Sequence, residues 1–118
     1  MVRDGCGYTP DVNVELPSAA SAFRACLAAR FGGRLRWARV YGSYARGEAT
    51  ADSDLDIAAV VEELTKAEKV EAIGDAAELG WRMGVRVSAL LMHPEEMQRL
   101  VDLEARLARD ILEEGISL

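Results

Sequence analysis

The stretch Tyr41-Gly-Ser-Tyr-Ala-Arg-Gly-Glu-Ala-Thr-Ala-Asp-Ser-Asp-Leu-Asp-Ile57 decides the fold. Ahead of it, Leu35-Arg-Trp-Ala-Arg-Val-Tyr41 is a strand-length run of apolar and Arg residues that stops at Gly42. Its far end, Asp54-Leu-Asp-Ile-Ala-Ala-Val-Val61, opens on strict alternation and becomes continuously apolar, the pattern of a strand that dives into a core. A short turn between the strands carries Arg46 and Gly47. Gly42 has no Cβ, so the backbone can approach a ligand closely, and the N–H groups of the turn that follows can point at phosphate oxygens. Ser43 adds a hydroxyl donor. The stretch is not a P-loop, because no Gly-Lys-Ser or Gly-Lys-Thr follows the glycine and the two lysines, Lys66 and Lys69, lie elsewhere.

Asp54 and Asp56 are two residues apart on a strand, so their side chains leave one face with Cα atoms about 6.6 Å apart, while Leu55 and Ile57 face the core. Carboxylates this close repel unless a cation compensates. Magnesium accepts a few carboxylates and completes its shell with water and phosphate oxygens. The pair therefore suits Mg²⁺ with a triphosphate, and phosphoryl or nucleotidyl transfer asks a protein mainly for such positioning and charge neutralisation. Arg46, if turned inward, would face the leaving phosphates.

Working outward, Leu16, Ala20, Phe23, Leu27 and Phe31 recur at helical spacing, with Pro17 tolerated in the first turn and Gly32-Gly33 as the stop. A second helix is predicted over Thr65–Met83, with Thr65 as N-cap and Val70, Ile73, Ala77 and Trp81 as its apolar stripe; Gly74 is its weak point. Val85–Met92, bounded by Gly84 and Pro94, reads as a third strand. Met97, Leu100, Leu107 and Ile111 mark a last helix from Pro94 to about Leu112, ending before Gly115. The sequence therefore predicts an α/β (α+β) fold, a small mixed sheet of three to four strands flanked by helices. Residues 16–118 are expected to form one domain, and 1–15 an N-terminal segment leading into a short alternation, Val12, Val14 and Leu16, that could add an edge strand.

The chain has 118 residues, 50% hydrophobic and 29% charged, which fits one globular domain and excludes a disordered or fibrous protein. Fourteen Lys and Arg against twenty Asp and Glu give a net charge of -6, which argues against general nucleic-acid binding. Cys6 and Cys26 are too few for a disulfide framework and read as free thiols. With no secretory signal in Met1–Pro10 and no membrane-length apolar run, a cytoplasmic protein without membrane attachment is expected.

The run Gly42-Ser43-Tyr44-Ala45-Arg46-Gly47, followed by Ser53-Asp54-Leu55-Asp56 and an apolar strand, resembles the signature of the minimal nucleotidyltransferases of the DNA polymerase β superfamily. The closing Leu107–Gly115 is also similar to the end of those domains. The resemblance implies that Gly42, Ser43, Arg46 and Ser53 contact the nucleotide, and that Asp54 and Asp56 are catalytic and hold one or two Mg²⁺ ions. It also implies ATP as substrate and, as in many prokaryotic members, an antitoxin that transfers AMP to a tyrosine of a HEPN-type RNase toxin. Members of this superfamily usually carry a third carboxylate on the next core strand, where this chain has Ser88 within Arg86-Val-Ser-Ala-Leu90. Glu48, Asp52, Glu78 or a partner's acid would have to stand in. Two other readings therefore stay open, a degenerate antitoxin that acts by contact and a small-molecule transferase of the aminoglycoside type. A site this open leads us to expect a homodimer or a complex with the partner.

Other residues read more simply as structure. His93, before Pro94, suits a strand-to-helix junction. Trp37 and Trp81 read as core rather than as adenine platforms. Arg34, Arg36 and Arg39 read as a solvated edge, and Glu62, Glu63, Glu68 and Glu71 as a solvated face interspersed with Lys66 and Lys69.

Overall fold

A computed structural model describes residues 15–118. Helix α1, Ser18–Phe31, starts from Pro17 at its N-cap, and a short 3-10 turn at Gly32–Arg34 leads into strand β1, Leu35–Tyr41. Strand β2 follows at Leu55–Val61, then helix α2 at Lys66–Met83 and strand β3 at Val87–Met92. Helices α3, Pro94–Asp102, and α4, Arg106–Glu113, precede a two-residue strand β4, Ile116–Ser117. The sheet order is β3-β2-β1-β4, with β1 antiparallel to β2 and β4 and β2 parallel to β3. The expected mixed sheet flanked by helices is thus present, with four strands.

Strand alternation sends residues to two layers. Leu55, Ile57, Ala59 and Val61 join Ala38, Val40 and Leu91 under α1 and α2, where Phe23, Leu27 and Phe31 supply most of the volume. Ala58, Val60 and Met92 face the other way, onto Met97, Ala108 and Ile111 of α3 and α4. Because β2 is covered on both faces, its second half is continuously apolar, as its sequence predicts. Asp56 belongs to the α3–α4 face, at the end of the row that continues through Ala58 and Val60.

Helix α2 corrects the expected stripe. Its buried residues are Ala72, Ala76 and Gly80, whereas Val70 is 65% and Trp81 87% exposed. A row of small side chains lets the helix lie close to the sheet: a Cβ on Gly80 would stand 2.3 Å from the carbonyl oxygen of Val85 and 3.1 Å from the amide nitrogen of Val87. Large residues cannot fit there, so Val70, Ile73, Ala77 and Trp81 are left facing solvent, and Trp81 is not core. Trp37, by contrast, is packed against the α3–α4 cluster as expected. Thr65 caps α2 through a reciprocal box, its hydroxyl accepting from the Glu68 N–H and the Glu68 carboxylate from the Thr65 N–H.

The single helix expected from Pro94 to Leu112 is two helices. The chain turns at Leu103–Ala105, with Glu104 at φ +53°, and α4 folds back on α3. Met97, Leu100, Leu107 and Ile111 still reach one cluster, and the return brings Ile116 and Ser117 beside Val40 and Arg39. An unbroken helix of this length would carry the chain about 28 Å away from that strand edge. Leu16 packs on the core just ahead of α1, while Val12, Val14 and Cys6 lie outside the described residues. Cys26 is a free, partly buried thiol. Within the described residues no helix is long and apolar enough to cross a membrane.

Candidate active site

The site forms where β1 hands over to β2. Gly42 follows β1 with φ +78°, in the left-handed region that side chains disfavour. A Cβ there would stand 2.6 Å from Oδ2 of Asp56, so the glycine backbone lies directly against that carboxylate. The turn of residues 42–47 closes on itself, Arg46 N–H donating to the Gly42 carbonyl at 3.1 Å and Glu48 N–H to the Ser43 carbonyl at 2.9 Å. Buried Ala45 and partly buried Tyr44 anchor it to the α1–α2 core. Among the described residues no side chain bonds the Ser43 hydroxyl.

A second turn presents the aspartates. The Ser53 hydroxyl accepts from Thr50 N–H at 2.9 Å, and Ser53 N–H donates to the Thr50 carbonyl at 3.1 Å, so Ser53 shapes the loop that leads to Asp54. Asp54 stands just before β2, and Leu55 N–H is held by the Arg86 carbonyl at 2.8 Å. Asp54 Oδ1 accepts from Arg86 Nε at 2.6 Å. Asp56 pairs in register with Tyr41 on one side and Ser88 on the other.

The electrostatics follow from this placement. Burial and then the charge of Asp54 push the Asp56 carboxyl above its ordinary range, while the Ser88 hydroxyl and the charge of Arg46 pull it back. Tyr41 is also raised, first by burial and then by the charges of Asp56 and Asp110. Arg46 donates to Glu48 at 2.9 Å and to Glu114 at 3.4 Å, which ties the turn to the end of α4. The structure therefore brings Gly42, Asp54 and Asp56 together, places Ser43 and Arg46 on the adjoining turn, and leaves Ser53 bonded within its own loop.

The remaining sequence candidates lie in structural contacts. His93 precedes α3, its N–H donating to Glu96 at 3.1 Å and its ring meeting Glu95 at 3.1 Å. Arg34 pairs with Glu68 at 2.7 Å, and Arg36 with Glu62. Arg39 stacks over Trp37 and donates to the Leu112 carbonyl at the end of α4. Glu78 pairs with Arg82 and Glu48 with Arg46. Among the described residues, no three His, Cys, Asp or Glu side chains gather as a metal cluster. Two clefts flank α3 and α4, one lined by Val101, Ala105, Ala108 and Leu112, the other by Leu90, Met92, Leu100 and Leu107; neither includes Asp54 or Asp56.

The sequence profile of the nucleotidyltransferase domain matches residues 22–118. The chain belongs to this nucleotidyltransferase family. A structure described as a minimal nucleotidyltransferase is 30% identical, with a TM-score of 0.59 and a match covering 93% of this chain and 100% of that one. A toxin–antitoxin structure with AMP-PNP is similar in fold at 18% identity and a TM-score of 0.57, covering 81% of this chain and 69% of that one. A mutant MntA-HpeT toxin–antitoxin is likewise similar in fold, at 16% identity and a TM-score of 0.57, covering 84% and 70%. No curated protein matches.

The residues present fit the divalent cation that nucleotidyl transfer employs. Two carboxylate donors lie within reach of each other's charge, the carboxyl of one is raised by burial and then by that charge, and the backbone beside it carries no side chain. Arg86 is the residue at the site that sequence reasoning passed over. Its signal lay in Arg86-Val-Ser88, two residues ahead of the flagged serine, but only the parallel register of β2 and β3 sets it beside Asp54.

Proposed function

We propose that this nucleotidyltransferase transfers a nucleoside monophosphate, AMP from ATP, to a hydroxyl on a partner toxin and so serves as an antitoxin. The observation that carries the reading is the approach of the Gly42 backbone to Asp56, with Asp54 beside it: a turn free of side-chain bulk set against a carboxylate pair. The similar toxin–antitoxin structure with AMP-PNP supports both the nucleotide and the partner. A HEPN-type RNase as that partner rests on the resemblance of the sequence motif.

In this reading Asp54 and Asp56 hold Mg²⁺, which when bound polarises the reacting phosphate and lowers the pKa of the attacking hydroxyl. The Gly42–Gly47 turn offers backbone N–H groups and the Ser43 hydroxyl to the phosphate oxygens. Arg46 stands at the rim, held in place by Glu48 and Glu114. The acceptor oxygen bonds to the α-phosphorus, the bond to pyrophosphate breaks, pyrophosphate departs, and the acceptor proton passes to water in the open site.

Ser88 favours a second reading. It stands in register with Asp56 and cannot act as a carboxylate, so a contact-only antitoxin that retains the fold is the alternative. Incubation with ATP labelled at the α-phosphate, Mg²⁺ and a toxin that co-purifies with this chain separates the two. Labelling of the toxin that disappears with Asp54→Ala supports transfer. An unlabelled toxin that is nevertheless neutralised by wild-type protein and by Asp54→Ala alike supports contact.

A further inference from the structure

We infer that Arg86 is a phosphate-binding residue that exchanges partners, releasing Asp54 to the cation and taking up the phosphate tail of the nucleotide. The inference rests on the nucleotidyltransferase reading of the site and adds a residue to it. Arg86 donates from Nε to Asp54 at 2.6 Å and reaches the Asp52 carbonyl with a second nitrogen at 3.4 Å. Its guanidinium thereby supplies the counter-charge for the aspartate that a cation would otherwise supply.

Three observations make the contact exchangeable. The Arg86 side chain is 78% exposed, and an exposed ion pair of this kind contributes little to stability, about 0–1 kcal/mol, so separating it costs little. The Arg86 backbone stays fixed while its side chain moves, because its carbonyl accepts from Leu55 N–H at 2.8 Å. Finally, Arg86 differs from Arg46, whose charge is already met by both Glu48 and Glu114. Once Asp54 ligates a cation, Arg86 has lost its carboxylate and sits at the mouth of the site with an unmatched charge.

The incoming ligand supplies a new partner. A triphosphate brings about four negative charges against two on Mg²⁺, and the two aspartates add two more, so the loaded site is in negative excess. A guanidinium binds phosphate oxygens with the same fork geometry that it uses for a carboxylate. Arg86 therefore opposes the cation at Asp54 when no nucleotide is present and assists the nucleotide when the cation is bound.

These two effects have opposite signs in one variant, which a merely structural residue would not produce. Wild type, Arg86→Gln and Arg86→Lys are compared by Mn²⁺ titration followed by electron paramagnetic resonance without nucleotide, and by calorimetric titration with ATP in saturating Mg²⁺. Arg86→Gln should bind Mn²⁺ several-fold more tightly than wild type and Mg·ATP roughly tenfold more weakly, the equivalent of one charge-assisted hydrogen bond. Arg86→Lys should fall between the two. Mn²⁺ affinity unchanged or reduced in Arg86→Gln, or unchanged Mg·ATP affinity, overturns the inference while wild type still binds Mg·ATP. Failure of wild type to bind Mg·ATP overturns the reading of the site, and the inference with it.

Discussion

At Gly42 two requirements meet at one atom. The residue adopts φ +78° and leaves Asp56 Oδ2 only 2.6 Å from where a Cβ would stand. Gly42→Ala is therefore expected to lose about 1–2 kcal/mol from the left-handed backbone alone and to displace the carboxylate, abolishing Mg·ATP binding. Urea denaturation and calorimetric titration of the variant check both parts. Asp56 itself carries a cost, which the proposed metal role explains. Its carboxyl is raised by burial and by Asp54, so the folded protein holds that proton more tightly than the unfolded chain does. The sign follows: folding is favoured below the ordinary carboxylate value, and the cost of ionisation appears as pH rises through the raised one. Asp56→Asn should accordingly raise the thermal midpoint of the metal-free protein at pH 7. Added Mg²⁺ should raise the midpoint of wild type but not of the variant. The facing of Asp56 was legible in sequence, since a strand period of two leaves no choice once the alternation is seen, whereas Asp54 stands just ahead of the strand expected to carry it. The Arg86–Asp54 contact was not legible, because a pairing register is a relation between segments that neither segment encodes alone.

Element by element, α2 is the most instructive. Its cap could be read from Thr65 with Glu68 three residues on, and the box is present. Glu68 also binds Arg34, and that guanidinium, with the Thr65 N–H, holds the Glu68 carboxyl down at about 2 against an ordinary 4.5. Because the folded value is depressed, the stabilisation is complete above the ordinary value and is lost as pH falls towards the folded one. Comparing wild type with Glu68→Gln by urea denaturation at pH 7 and at pH 2 to 3 should show a stability gap that narrows in acid. Thr65→Ala should cost about 1 kcal/mol at pH 7. The buried face of α2 was misread because hydrophobic periodicity finds the large apolar residues, whereas contact with the sheet here selects small ones, Ala72, Ala76 and Gly80. Trp81→Ser is expected to leave stability within about 0.5 kcal/mol, while Phe23→Ala should cost about 3–5 kcal/mol. Thermal unfolding of the two variants would show that contrast. The break between α3 and α4 also had no local signal. Asp102 to Arg106 holds neither Gly nor Pro, and the turn is imposed by the need to return Ile116 and Ser117 to β1.

Over the whole molecule, the helices divide between the sheet faces so that one end of the α3–α4 face stays open at Asp54 and Asp56. The mixed sheet and most of the element order followed from sequence because β1 and β3 are bounded by Gly or Pro and α1 and α2 stop at a glycine, whereas the α3–α4 break and β4 had no such marks. The acidic balance of the chain, -6 overall, and the aspartate pair make a cation part of the expected complex with a triphosphate. That requirement gives the central claim its most direct test. Calorimetric titration with ATP is made in Mg²⁺ and in chelator, on wild type and on Asp54→Ala/Asp56→Ala. The account predicts binding by wild type in Mg²⁺ that disappears both in chelator and in the double variant. Binding of equal strength in all four experiments, or in none, would contradict it.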